Sequence, residues 1–143
     1  MIRLVIPGAP VAKPRQTRRD KWMQRPCVMR YRAWENKVRG ELIRQLARIP
    51  DGPIGVVAYF DLPLPKRPGA GELPFSWHDK KPDLDNALKG ALDAAFHDQG
   101  RGDQRVAVFF SRKVWAAAGT EGQTILHLGT ADEIMDIAQE GRL

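Results

Sequence analysis

From Arg30 onward, Tyr31, Trp34, Val38, Leu42, Leu46 and Ile49 recur at spacings of three and four residues. That period belongs to an α-helix, whose 3.6-residue turn stacks such positions on one face and leaves Arg32, Arg39 and Arg48 outside it. Pro50-Asp51-Gly52-Pro53 stops the helix. Residues 54–62 then alternate, with Ile54, Val56, Ala58, Phe60 and Leu62 on one side, which is the period of a strand. Residues 2–6 read as a shorter strand, closed by Pro7-Gly8-Ala9-Pro10.

Residues 63–82 are rich in proline and lack periodicity, so they read as a long functional loop. Asp83 opens a second helix with Leu84, Leu88, Ala91, Leu92 and Ala95 as its apolar stripe, and Gly100-Arg101-Gly102 ends that segment. Residues 106–115 and 123–128 predict a hairpin pair across 118–122. Residues 131–139 predict a short terminal helix. The order strand, helix, strand, helix, strand, strand defines an α+β domain in which helices pack on a small sheet. A chain of 143 residues suits one such domain over 1–143.

Charge narrows the partner. The net charge is +6, and residues 1–50 hold thirteen Lys and Arg against Asp20, Glu35 and Glu41. A cationic first third suits a polyanion, with nucleic acid the first candidate and a solvated basic face the alternative. The apolar runs are too short for a bilayer span, and the first residues lack the apolar core of a signal peptide, so a cytoplasmic protein with no membrane partner is expected. The single cysteine, Cys27, allows no internal disulfide and agrees with a reducing compartment. No Gly-rich phosphate loop is present, which argues against a nucleotide cofactor.

The chemistry concentrates in Lys80-Lys81-Pro82-Asp83-Leu84-Asp85-Asn86-Ala87-Leu88-Lys89, with Asp103 beyond the second helix. Two carboxylates two residues apart at a helix start can face one cleft, and Asn86 adds a neutral oxygen. Hard cations such as Mg2+ take such oxygen ligands together with phosphate and water. Lys89 lies one turn past Asp85, where an ammonium complements the charge that gathers on a phosphodiester in its transition state. Each residue also has a structural reading. Asp83 suits a helix N-cap, Asp85 the helix dipole, Lys89 a surface pair with Asp85 or Asp93, and Asp103 a turn after glycine.

Lys81-Pro82-Asp83-Leu84-Asp85-Asn86-x-x-Lys89, followed after one helix by Gly102-Asp103-Gln104-Arg105-Val106, resembles the RusA family of Holliday-junction resolvases. The opening Pro7-Gly8-Ala9-Pro10-Val11-Ala12-Lys13-Pro14-Arg15 resembles that family's strand and basic loop, and the likeness runs over roughly residues 1–130. It implies a small mixed sheet with two main helices. It implies Asp83, Asp85 and Asp103 as metal-binding acids, Lys89 as the catalytic lysine, Mg2+ (or Mn2+) as cofactor, and a homodimer that cuts a four-way DNA junction in symmetric pairs. Lys13, Arg15, Arg18, Arg19 and Lys21, with Lys80 and Lys81 beside the acids, are then the DNA-contacting candidates. Two positions depart from the family pattern. Gly102 stands where the third motif has a first acid, with Asp98 the nearest substitute, and Arg105 stands where it has Gln.

Trp22 suits stacking on an exposed base or anchoring of its loop, and Trp34 belongs to a core or a dimer interface. His78, His97 and His127 have no metal-ligand spacing, and His127 falls in a strand facing outward. The functional alternatives are a basic junction-binding protein that does not cut, and an RNA-binding accessory protein.

Overall fold

The computed structural model describes residues 1–15, 17–65, 76–100 and 102–143. Its strands are β1 (Ile2–Pro7), β2 (Ile54–Leu62), β3 (Val106–Trp115) and β4 (Gln123–Thr130), and its helices are α1 (Pro26–Arg44), α2 (Leu84–Phe96) and α3 (Ala131–Gln139). Single 3-10 turns precede α1 at Arg18–Lys21 and β3 at Asp103–Arg105. Helices α1 and α2 pack against each other over one face of the sheet, and α3 covers part of the other, so the fold is α+β with a mixed sheet. Among the described residues no helix is long and apolar enough to cross a membrane.

The apolar face of α1 buries Tyr31, Trp34, Val38 and Leu42 as its period requires. Trp34 is therefore core. The helix starts earlier than the periodicity shows, because Pro26 at its first turn has the backbone angle of a helix and needs no donor there. It also ends earlier. Leu46 adopts φ +50° and is 90% exposed, and the amides of Leu46 and Ala47 return to the carbonyls of Ile43 and Leu42. These two bonds form a Schellman closure, a place where glycine is usual. Leu46 thus matches the spacing yet leaves the stripe, while Ile49 is buried from the segment that follows the helix.

The sheet order is β1-β4-β2-β3. The five alternating positions of β2 are buried under the helices, as expected. On its other face Gly55 and Val57 are buried while Tyr59 and Asp61 are half-buried, and Gly55 leaves room for Ile134 of α3; a Cβ at Gly55 would lie 2.6 Å from the Ile134 side chain.

The expected hairpin is absent from the described residues. β3 pairs with β2 in parallel, and β4 inserts between β1 and β2, antiparallel to both. The chain crosses over the end of β2: Ala116 N–H bonds to Leu62 O, and Gly122, at φ +80°, sits against the Asp61 carbonyl where no side chain fits. Sequence neighbours fail to pair because both long edges of β2 offer better burial than an exposed two-strand ribbon.

Parallel neighbours need a crossover, and α2 supplies it between β2 and β3. α2 must therefore begin at the carboxyl edge of these strands and end at their amino edge. Within residues 63–82, read as a functional loop, 66–75 lie outside the described residues, and 76–78 run along β3.

Candidate functional site

The approach to α2 is fastened to β3. Trp115 N–H bonds to Ser76 O (3.0 Å), His78 N–H bonds to Lys113 O (3.3 Å), and Trp77 bridges Val114. The His78 ring is buried against Trp115, with centroids 4.1 Å apart. Burial pushes its pKa down, and the neighbouring Lys113 ammonium pushes the same way. Past His78 the ladder stops and Lys113 Nζ takes over, donating to Lys80 O (2.5 Å) and Pro82 O (2.7 Å). Lys80 and Lys81 side chains remain exposed.

Asp83 then stands at the head of α2 in extended backbone, and its carbonyl accepts from Ala87 N–H (3.0 Å). Its carboxylate does not cap the helix. Asp83, Asp85, Asn86 and Lys89 are all exposed, and among the described residues none has a side-chain hydrogen bond or ion pair. Asp93, a possible partner for Lys89, is instead held by Lys13 Nζ at 2.6 Å. Neither the capping role nor the surface pairs read from the sequence are formed.

The basic loop lies across this helix start. A Cβ on Gly90 would be 3.0 Å from Lys13 N and 3.3 Å from Val11 O, so glycine at this point of α2 lets the loop backbone pass. Tyr31 Oη also donates to the Gly90 carbonyl (3.0 Å), tying α1 to the same turn. Lys13, Pro14, Arg15, Asn86 and Lys89 line an open cleft of about 470 Å³. Further along, the buried carboxylate of Asp20 accepts from Arg25 (2.6 and 2.8 Å) and from Thr17 N–H (2.5 Å), while Arg25 also reaches Arg15 O (2.8 Å). The Arg25 hydrogen bonds, with that from Thr17, hold the Asp20 pKa down at about 2. This clamp orders the loop and leaves Arg18, Arg19, Lys21 and Trp22 facing outward, Trp22 at 86% exposure. Sequence reasoning missed it; the signal was one acid alone in a run of cations.

Asp103 is elsewhere. It sits in the turn before β3, whose first residue, Val106, pairs with Ile54 at the amino edge of β2. The 13-residue length of α2 puts it roughly 20 Å from Asp85. The strand path from Lys113, beside Asp83, back to Val106 gives a similar span, about 23 Å. Among the described residues no three His, Cys, Asp or Glu side chains gather as a metal site. Asp98 is engaged: Arg39 grips both its oxygens (2.7 and 3.1 Å) and His97 Nδ1 lies 3.0 Å away. His97 and Arg39 both lower its pKa. Arg105 donates to the Pro50 and Gly52 carbonyls, so this departure from the family pattern ties the Asp103 turn to the start of β2. His127 is half-buried on the face away from α1 and α2, with its pKa lowered by burial and by Arg3.

Two carboxylates, a carboxamide and an ammonium, without partners among the described residues, at the carboxyl edge of a parallel strand pair and beside an ordered cationic loop, have the chemistry of a site that receives a polyanion and a hard cation. The donor set fits Mg2+, since carboxylates already committed to ion pairs would compete with it. The profile of the endodeoxyribonuclease RusA family matches residues 7–121, and the chain belongs to that family of endonucleases that resolve Holliday junctions. The match spans the basic loop, α1, β2, α2 and β3, and stops short of β4 and α3. No curated protein matches the chain.

Proposed function

We propose that this chain is a Mg2+-dependent endodeoxyribonuclease, with Mn2+ as a substitute, that resolves four-way DNA junctions in recombination and repair by paired phosphodiester cleavage. It acts in the cytoplasm as a homodimer, without a nucleotide cofactor. The observation that carries this reading is that, among the described residues, Asp83, Asp85 and Lys89 have no partner beside the Lys13–Arg15 cleft.

Asp83 and Asp85 would hold the cation, with Asn86 at hand as a neutral oxygen. When bound, it supplies Lewis-acid polarisation of the phosphate and acidification of water. Lys89 directs its ammonium at the non-bridging oxygens as negative charge builds there. Arg15, Arg18, Arg19 and Lys21 track the phosphates, so affinity falls as salt rises. Lys13 serves this surface by anchoring the loop through Asp93. Trp22, held out by the Asp20–Arg25 clamp, stacks on a base exposed at the branch point. A two-fold dimer matches a two-fold junction, and a second copy supplies the Asp103 that one chain holds too far away.

That same distance favours a second reading, a protein that binds junctions without cutting them. Cleavage of a synthetic four-way junction and a linear duplex, with Mg2+ and with chelator, separates the two. Wild type is expected to cut the junction in Mg2+ alone, and Asp85→Asn to lose more than about 100-fold in rate while still binding. Binding without cutting in any metal would establish the second reading.

A further inference from the structure

We propose that Lys113 is a positioning residue for the acid pair: its ammonium holds the main chain before Asp83 so that Asp83 and Asp85 meet one cation. This rests on the reading of those two residues as metal ligands.

The geometry is that of a relay. Residues 113–115 of β3 fasten residues 76–78 through backbone bonds and the Trp77–Val114 bridge. The ladder ends there, yet the chain must still travel to Asp83 in a defined direction. Lys113 Nζ covers that gap with two bonds, at 2.5 Å to Lys80 O and 2.7 Å to Pro82 O, the second on the residue directly preceding Asp83. Pro82 has no N–H to donate to a ladder, and its carbonyl is held instead by the Lys113 ammonium. Donors bearing charge make the stronger bonds of this kind.

Simple electrostatics points the other way, and that makes the idea testable. Lys113 joins Lys80 and Lys81 as a third ammonium in this segment. If its charge were its only influence, removing it would lower the local positive potential and tighten cation binding at Asp83 and Asp85. A positioning role requires the reverse. Loss of a group that orients metal ligands typically costs 10- to 100-fold in affinity.

The test is a Mn2+ titration of the purified protein without DNA, following free Mn2+ by its paramagnetic resonance signal. Wild type, Lys113→Met, Lys113→Arg and Asp85→Asn are compared, with junction binding in chelator measured alongside. Lys113→Met is expected to weaken Mn2+ binding about tenfold. Lys113→Arg, whose fork can serve both carbonyls, should recover most of it, and junction binding in chelator should stay near wild type. Equal or tighter Mn2+ binding in Lys113→Met, with Asp85→Asn weakened, overturns the proposal and leaves the metal site standing. Wild-type binding in Asp85→Asn overturns the metal-ligand reading and the proposal with it. Should Lys113→Met fail to fold, Lys113→Thr, which suits a strand but is too short to reach either carbonyl, decides by the same criterion.

Discussion

Mixing Asp85→Asn protein with Asp103→Asn protein should restore cleavage that neither shows alone. Octahedral Mg2+ holds its oxygens at about 2.1 Å, so carboxylates on residues roughly 20 Å apart cannot share one ion within a chain. If Asp103 is a ligand, it serves the acid pair of a second copy. In a mixed dimer, one site then carries both substitutions and the other carries neither. Random 1:1 exchange makes half the dimers mixed, each with one intact site of two, so nicking should return to about a quarter of the wild-type level. The products should be single nicks, because the opposing site is dead. The assay is nick mapping on a junction labelled on each strand, after co-expression or subunit exchange. Activity no greater than that of the separate variants would refute assembly across two chains. Full cleavage by Asp103→Asn alone would remove Asp103 from the site altogether.

Two further outcomes test the fold and the DNA surface. Leu46→Gly should stabilise the protein by about 1 kcal/mol, since a left-handed residue closing α1 suits glycine and the exposed leucine side chain contributes little packing; a lowered denaturation midpoint would contradict this. Trp22→Ala should weaken junction binding by about 5- to 150-fold, the range of one lost base stack, with far less effect on linear duplex. An equal loss on both substrates would show that Trp22 acts through the loop and not on the branch point.

Much of the site was legible as a list of residues and little of it as an arrangement. Asp83 stands at the head of a helix, with Asp85, Asn86 and Lys89 on its first turns, because proline, aspartate and a run of helix formers act locally. The buried face of α1 and the alternation of β2 followed from periods of 3.6 and 2. Leu46 shows the limit of that logic: it has the right spacing and hydrophobicity, and still closes the helix in the left-handed region. Lys113 gave no sign of its role, since it acts through carbonyls that only folding brings near, whereas Asp20, whose partners lie three and five residues away, was marked only as one acid in a run of cations.

The sequence by itself therefore determined the elements, the basic surface, the family and the chemical types at the site. Each is written in nearby residues or in composition. Tertiary structure decided that β4 enters between β1 and β2, that β3 runs parallel to β2, and so that α2 carries the chain from one edge of the sheet to the other. That crossover separates Asp103 from the acid pair by the length of a helix. Strand pairing is a competition among distant segments for burial and backbone bonds, and no local pattern records which one wins.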